Sequence, residues 1–140
     1  MDRTTDLHRF IDAQDGGVHE RALAELRAGR KRGHWMWFVF PQITGLGSSP
    51  AAQHYAIADL DEARRYLADP VLGPRLRECA QALADLGATD AVGVLGPVDA
   101  LKLHSSMTLF ALADPDEPVF RAVLDRYYGG ALDEGTASRI

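Results

Sequence analysis

Cysteine is almost absent. Cys79 is the one thiol, so no disulfide can form within the chain, and a reducing cytoplasm is the expected compartment. Long hydrophobic runs are missing as well: the longest unbroken apolar stretch, Trp35 to Phe40, is far short of the roughly 20 residues that a membrane-spanning helix needs. Met1-Asp2-Arg3-Thr4-Thr5-Asp6 is polar where a secretory signal turns apolar, so neither export nor membrane association is expected. Positive charge is in deficit. Lys and Arg number 15 against 20 Asp and Glu, a net charge of -5, which argues against a nucleic-acid coat protein. His8, His19 and His54 fall on helical segments with no second ligand at metal spacing, so no metal site and no cofactor are expected. No repeat, low-complexity tract or linker divides the 140 residues, and residues 1–140 read as one domain.

What is present is an ordinary globular balance, 46% hydrophobic and 25% charged, arranged with a helical period. Leu7, Phe10, Ile11 and Gln14 share one side of a first helix that Asp15-Gly16-Gly17 ends. Val18, Ala22, Leu23 and Leu26 face inward on a second, with Gly29 suited to a left-handed stop. Ser49-Pro50 caps a third helix through Ile57. Asp59 and Glu62 have capping-box spacing and open a fourth, to about Ala68. Asp69-Pro70 leads into a stripe of Leu72, Leu76, Cys79, Ala80, Leu83 and Leu86 that stops at Gly87, and a short turn of helix follows Thr89-Asp90. Gly96-Pro97 starts a helix to about Leu112 that is apolar on nearly all sides, the mark of a rod surrounded by protein. Asp116 and Pro118 begin the last clear helix, which Gly129-Gly130 stops. The tail from Leu132 is weakly patterned.

His34-Trp35-Met36-Trp37-Phe38-Val39-Phe40-Pro41-Gln42 breaks the helical rule. It reads as an extended piece buried on both sides, or as one irregular turn. A lone strand has no partner in the sequence, so no sheet is expected. The expected fold is mainly α: a single-domain bundle of about six to seven helices with one buried extended aromatic segment, residues 34–42.

Unusual residues concentrate between Arg27 and Ser49. Arg27, Arg30, Lys31 and Arg32 form a positive block. Gly45-Leu46-Gly47-Ser48-Ser49-Pro50 combines flexible backbone, hydroxyl donors and a helix start, the elements of an anion site, and Trp35 or Trp37 would add a wall for a flat group. The plainer reading is a turn, a solvated helix end and core aromatics. On the central helix, Lys102, Ser105 and Ser106 share a face. An ammonium in so apolar a helix must reach solvent or an anion; the plainer reading pairs it with a structural carboxylate and bonds the serines to their own helix. His34 is a candidate acid or base, Gln14 on the apolar side of the first helix needs a partner or a ligand, and Gln42 is placed to orient a ligand. Cys79 sits on an apolar stripe as an inert thiol.

Further motifs extend over nearly the whole chain: Leu7-x-Arg9-Phe10-x-x-Ala13-Gln14, His34-Trp35-Met36-Trp37-Phe38-Val39-Phe40-Pro41-Gln42, Gly45-Leu46-Gly47-x-Ser49 and Gly96-Pro97-x-Asp99-x-x-Lys102-x-x-Ser105-Ser106-Met107-Thr108-Leu109-Phe110. By these the chain resembles a widespread bacterial family catalogued as domain of unknown function 1810, whose members automated labels sometimes call calpastatin. The resemblance implies one mostly helical domain with no established biochemical role. Calpain inhibition uses extended disordered segments, and this chain has a folded domain's composition. His104 stands where the family often carries arginine.

The expected function is therefore a pocket for a small anionic, nucleotide-like ligand. Lys31 and Lys102 would supply charge, Gly45, Gly47, Ser48 and Ser49 donors, with Gln14, Gln42, Ser105 and Ser106 beside them and His34 a proton-transfer group. The rival is a protein-interaction module in which the arginine block docks an acidic partner. Everything hinges on whether Lys102 and the Gly45–Ser49 loop meet.

Overall fold

The computed structural model describes residues 7–140; Met1 to Asp6, read above for export, lie outside them. The described residues form ten helices: α1 His8–Gln14, α2 Val18–Arg27, α3 Met36–Val39, α4 Pro50–His54, α5 Leu60–Ala68, α6 Leu72–Asp85, α7 Ala91–Leu95, α8 Pro97–Ala113, α9 Pro118–Tyr128 and α10 Glu134–Ala137. The mainly helical expectation holds, and the count exceeds the expected six to seven. Among the described residues no strand forms, and no helix is long and apolar enough to cross a membrane.

Several helix starts follow directly from capping chemistry. Asp59 accepts from the Glu62 amide at 2.8 Å, Ser49 from Ala52 at 3.1 Å, and Asp90 from Val92 at 3.0 Å. Asp69 accepts from the amides of Val71 and Leu72. α8 is the central rod, packing on α5, α7, α9 and α10, while α6 packs on α2, α5 and α9. Leu103, Met107, Leu109 and Phe110 of α8 are fully buried, and Tyr66 lies between the rings of Phe10 and Phe110.

The aromatic segment corrects the expectation of an extended piece. It carries one helical turn, α3, closed by Val39 N–H to Trp35 C=O and Phe40 N–H to Met36 C=O, both 3.1 Å. A buried single strand would leave its peptide groups unpaired, and a turn of helix pairs them internally. Gln14 completes the arrangement: its Nε2 donates to Phe38 C=O at 2.8 Å.

α4 also ends before the expected Ile57. Arg9 donates to the carbonyls of His54 and Ala56 at 2.9 and 2.8 Å, and its guanidinium meets the fully buried Glu62 carboxylate at 3.4 Å. The chain is thereby drawn off the helical path after His54. Ile57 instead forms a parallel bridge with Ile43, through Thr44 N–H to Ile57 C=O and Ile57 N–H to Gln42 C=O. That bridge places the loop after Gln42 against the Tyr55–Ala56 link.

Candidate functional site

The site is built on α8. Gly96 enters it at a φ of +89°, which glycine adopts without strain, and Pro97 supplies a ready-set first position. Asp99 and Lys102, three residues apart, lie on one face, with the ammonium 3.3 Å from Asp99 Oδ1. The same ammonium sits 3.6 Å from the centroid of the Trp37 ring. Asp99 Oδ2 is held by a second lysine, Lys31, at 2.9 Å. One carboxylate is thus shared by two ammoniums, and the side chains of Lys102 and Lys31 are only 18% and 9% exposed.

Lys31 reaches inward because the turn after α2 is organised around Glu25. Its Oε1 accepts from the amides of Arg32 and Gly33 and from the Trp35 indole, at 2.7, 2.9 and 2.9 Å. Burial would raise the carboxyl's pKa, but the Gly33 and Arg32 amides, the Trp35 indole and the Lys31 charge outweigh it and hold the group below its ordinary value. Trp35 packs so closely over Gly33 that a Cβ there would lie 2.8 Å from its ring. The positive block therefore splits: Lys31 turns in, while Arg27, Arg30 and Arg32 are exposed.

Lys102 and Trp37 line a hollow of about 320 Å³. Gln42, Gly45 and Gly47 line the same hollow as Lys102, whereas Ser48 and Ser49 do not. Gly45 has a φ of +94°, and the amides of Gly45 and Gly47 have no acceptor among the described residues. Leu46, Tyr55, Val98 and Leu101 supply apolar wall and lip; Val98 and Leu101 are 63% and 71% exposed, unusual for such side chains.

Ser105, one turn beyond Lys102 on α8, and Asp133 also line the hollow. Ser105 Oγ lies 2.8 Å from Thr136 Oγ1, and Thr136 donates to Asp133 Oδ2 from its hydroxyl at 2.6 Å and its amide at 3.0 Å. Asp133 N–H donates in turn to Thr108 Oγ1 on α8 at 2.9 Å. The strap carrying Asp133 is pinned further by His104, whose Nε2 bonds to Ala131 C=O at 2.8 Å while its ring stacks on Tyr128 at 4.1 Å.

The remaining sequence-predicted residues lie elsewhere. Gln14 is buried in the core, bonded to Phe38, Tyr66 and Arg75. Trp35 is buried against Glu25, and Lys31 stands behind Asp99, so neither lines the hollow. His34 is exposed and outside it. Ser49 is spent on capping α4, and Ser48 offers its carbonyl to Gln53 at 2.9 Å. Ser106 is fully buried, and its Oγ has no hydrogen-bond partner among the described residues. The physical reason is helical geometry: residues three and four beyond Lys102 fall on its two opposite flanks, about 100° apart, so Ser105 turns to the hollow and Ser106 to the core.

Sequence reasoning assigned no role to Asp99, Tyr55 or Asp133. The three-residue step from Asp99 to Lys102 carries the ion-pair signal, and Asp133-x-x-Thr136 has the spacing of a helix cap. A second, larger hollow of about 840 Å³, lined by Arg9, Asp12, Gln53 and His54, contains none of the predicted site residues. Cys79 is fully buried, and desolvation, with the nearby Glu78 charge, pushes its thiol up to about 12. Among the described residues no group of three or more His, Cys, Asp or Glu is placed to hold a metal ion.

Comparison with known proteins agrees with this architecture. The model of a family described as protein of unknown function (DUF1810) matches residues 4–140. The crystal structure of the conserved hypothetical protein Rv1873 from Mycobacterium tuberculosis is 52% identical, with a TM-score of 0.92 over 95% of this chain and 94% of that one. None of the curated proteins matches.

Proposed function

The chain belongs to the DUF1810 family of proteins of unknown function, and from that premise we propose that it is a binding domain whose hollow takes a small anionic, nucleotide-like ligand. One observation carries the reading: Lys102, stacked on Trp37, lines the same hollow as the loop of Gly45 and Gly47. The anionic group of the ligand sits between the ammonium and the loop, where glycines let it approach the backbone closely. Trp37 holds the ammonium in place and lowers the entropy cost of using it. The flat part of the ligand lies against Tyr55 and the exposed lip of Val98 and Leu101, and Gln42 orients it. A volume near 320 Å³ falls at the lower end of the range for small-molecule sites, which favours a mononucleotide-sized ligand over a dinucleotide.

Thermal denaturation against nucleoside monophosphates and sugar phosphates tests the proposal. At a hundredfold excess over Kd, binding stabilises the fold by about 2.7 kcal/mol. Nucleoside monophosphates are expected to raise the melting temperature of the wild type and not that of Lys102→Met. A panel without effect, or an equal response from the variant, refutes the reading. The rival, docking of an acidic protein, draws on the exposure of Arg27, Arg30 and Arg32. It predicts partner binding that weakens steeply with salt and ignores Lys102→Met.

A further inference from the structure

Beside Lys102, Ser105 one turn further along α8 and Asp133 add polar groups of the opposite kind to the lining of the hollow, and hydrogen-bond bookkeeping shows why. A carboxylate only accepts, so the 2.6 Å contact between Thr136 Oγ1 and Asp133 Oδ2 consumes the single Thr136 hydroxyl proton. In the 2.8 Å contact between Ser105 Oγ and Thr136 Oγ1 the proton must then come from Ser105. Ser105 is left with lone pairs alone for the hollow. Asp133 Oδ2 is taken by Thr136, while Oδ1 has no partner among the described residues. Both polar side chains of this wall therefore present acceptors, whereas Lys102 presents only donors. Neither acceptor is loose: Thr108 holds the Asp133 backbone, Thr136 its carboxylate, and Ser105 is buried in α8.

From this polarity we infer that the acceptor wall of Ser105 and Asp133 reads the sugar hydroxyls of the ligand, so that the site takes ribonucleotides and rejects analogues lacking the 2′ and 3′ hydroxyls. The inference rests on the proposed anion site and deepens it. A phosphate accepts and a ribose diol donates, so a ribonucleotide matches both the ammonium and the neighbouring acceptors. A free phosphate or a dicarboxylate would meet the Asp133 charge with nothing to give it. A ligand without the diol forgoes hydrogen bonds to both acceptors.

The test is calorimetric titration of the full chain with the four ribonucleoside 5′-monophosphates, their 2′,3′-dideoxy counterparts and inorganic phosphate. At least one ribonucleotide should bind about tenfold or more tightly than its dideoxy form, and inorganic phosphate should bind weakly. Asp133→Asn keeps an oxygen to cap α10 but puts an amide donor where Oδ1 was. It should abolish the preference, and because it removes a negative charge from the lining it should not weaken dideoxynucleotide binding. Ser105→Ala removes one acceptor, and should reduce the preference even if Asp133→Asn melts too early to titrate. Equal binding of ribo and dideoxy forms, still dependent on Lys102, overturns this inference and leaves the anion site standing. A preference that survives in both variants overturns it too. Absence of nucleotide binding altogether removes the anion-site reading, and this inference with it.

Discussion

Gln14→Leu separates a structural amide from a ligand-binding one. Gln14 Nε2 donates to Phe38 C=O at 2.8 Å and to the Tyr66 hydroxyl at 3.2 Å, and Oε1 accepts from Arg75 at 3.4 Å. Leucine has a similar volume but makes none of these bonds. Burial pushes the Tyr66 hydroxyl pKa upward, so it stays protonated and retains its own 3.4 Å contact with the Phe38 carbonyl. Arg75 retains Asp15 at 3.8 Å. The loss is then one good hydrogen bond, two longer ones and a partly orphaned carbonyl, about 2–3 kcal/mol in total. For a chain of this size that is roughly 6–12 °C of melting temperature. Melting by circular dichroism supplies the first number, and nucleotide titration at a temperature where both proteins are folded supplies the second. Affinity should be unchanged, because Gln14 does not line the hollow. A variant that melts like the wild type but loses binding would refute the reasoning, placing Gln14 back at a ligand.

Two other outcomes test the scaffold. Gly73→Ala should lower stability by about 3 kcal/mol in chemical denaturation, since a Cβ at Gly73 would fall 2.1 Å from the Leu67 carbonyl oxygen, a backbone atom that cannot swing away. Glu25→Gln should lose an increment of stability that depends on pH. The folded-state pKa of Glu25 lies below its ordinary 4.5, so the increment is present above that value and disappears as pH falls through the lowered one; denaturation curves of the two proteins should converge at acid pH, and a constant gap at every pH would contradict this.

The helices were legible where local chemistry decides them. Asp59, Ser49 and Asp90 cap as their positions suggest, because a cap needs only a short side chain and the next three amides. α3 and α10 were not. Each is a single turn, too short for periodicity, and each is held by distant partners: Glu25 and Gln14 for the first, Thr108 and Ser105 for the second. The same division holds at the hollow. Lys102 stood out as an ammonium in an apolar helix and the glycine loop by its composition, both local properties. That they share a cavity depends on the Ile43–Ile57 bridge and on Arg9 drawing the chain aside after His54, contacts that no local pattern encodes. Asp133 escaped notice because a carboxylate in a polar tail has no local oddity; only the cavity gives it meaning.

The pairing of Lys102 with Asp99 looks at first like the plain structural salt bridge that would leave nothing for a ligand. The geometry points the other way. Asp99 is shared between Lys31 and Lys102, so the carboxylate beside Lys102 is divided between two ammoniums. An ammonium has three hydrogens, and on Lys102 its neighbours are the Asp99 carboxylate and the Trp37 ring. Lys31 spends its own on Asp99 and on the Gly33 carbonyl. Its part is to hold Asp99 on the side away from the cavity, so that the carboxylate fixes Lys102 without neutralising it. That arrangement fixes the Lys102 ammonium at one point of the hollow's lining, between Asp99 and the Trp37 ring.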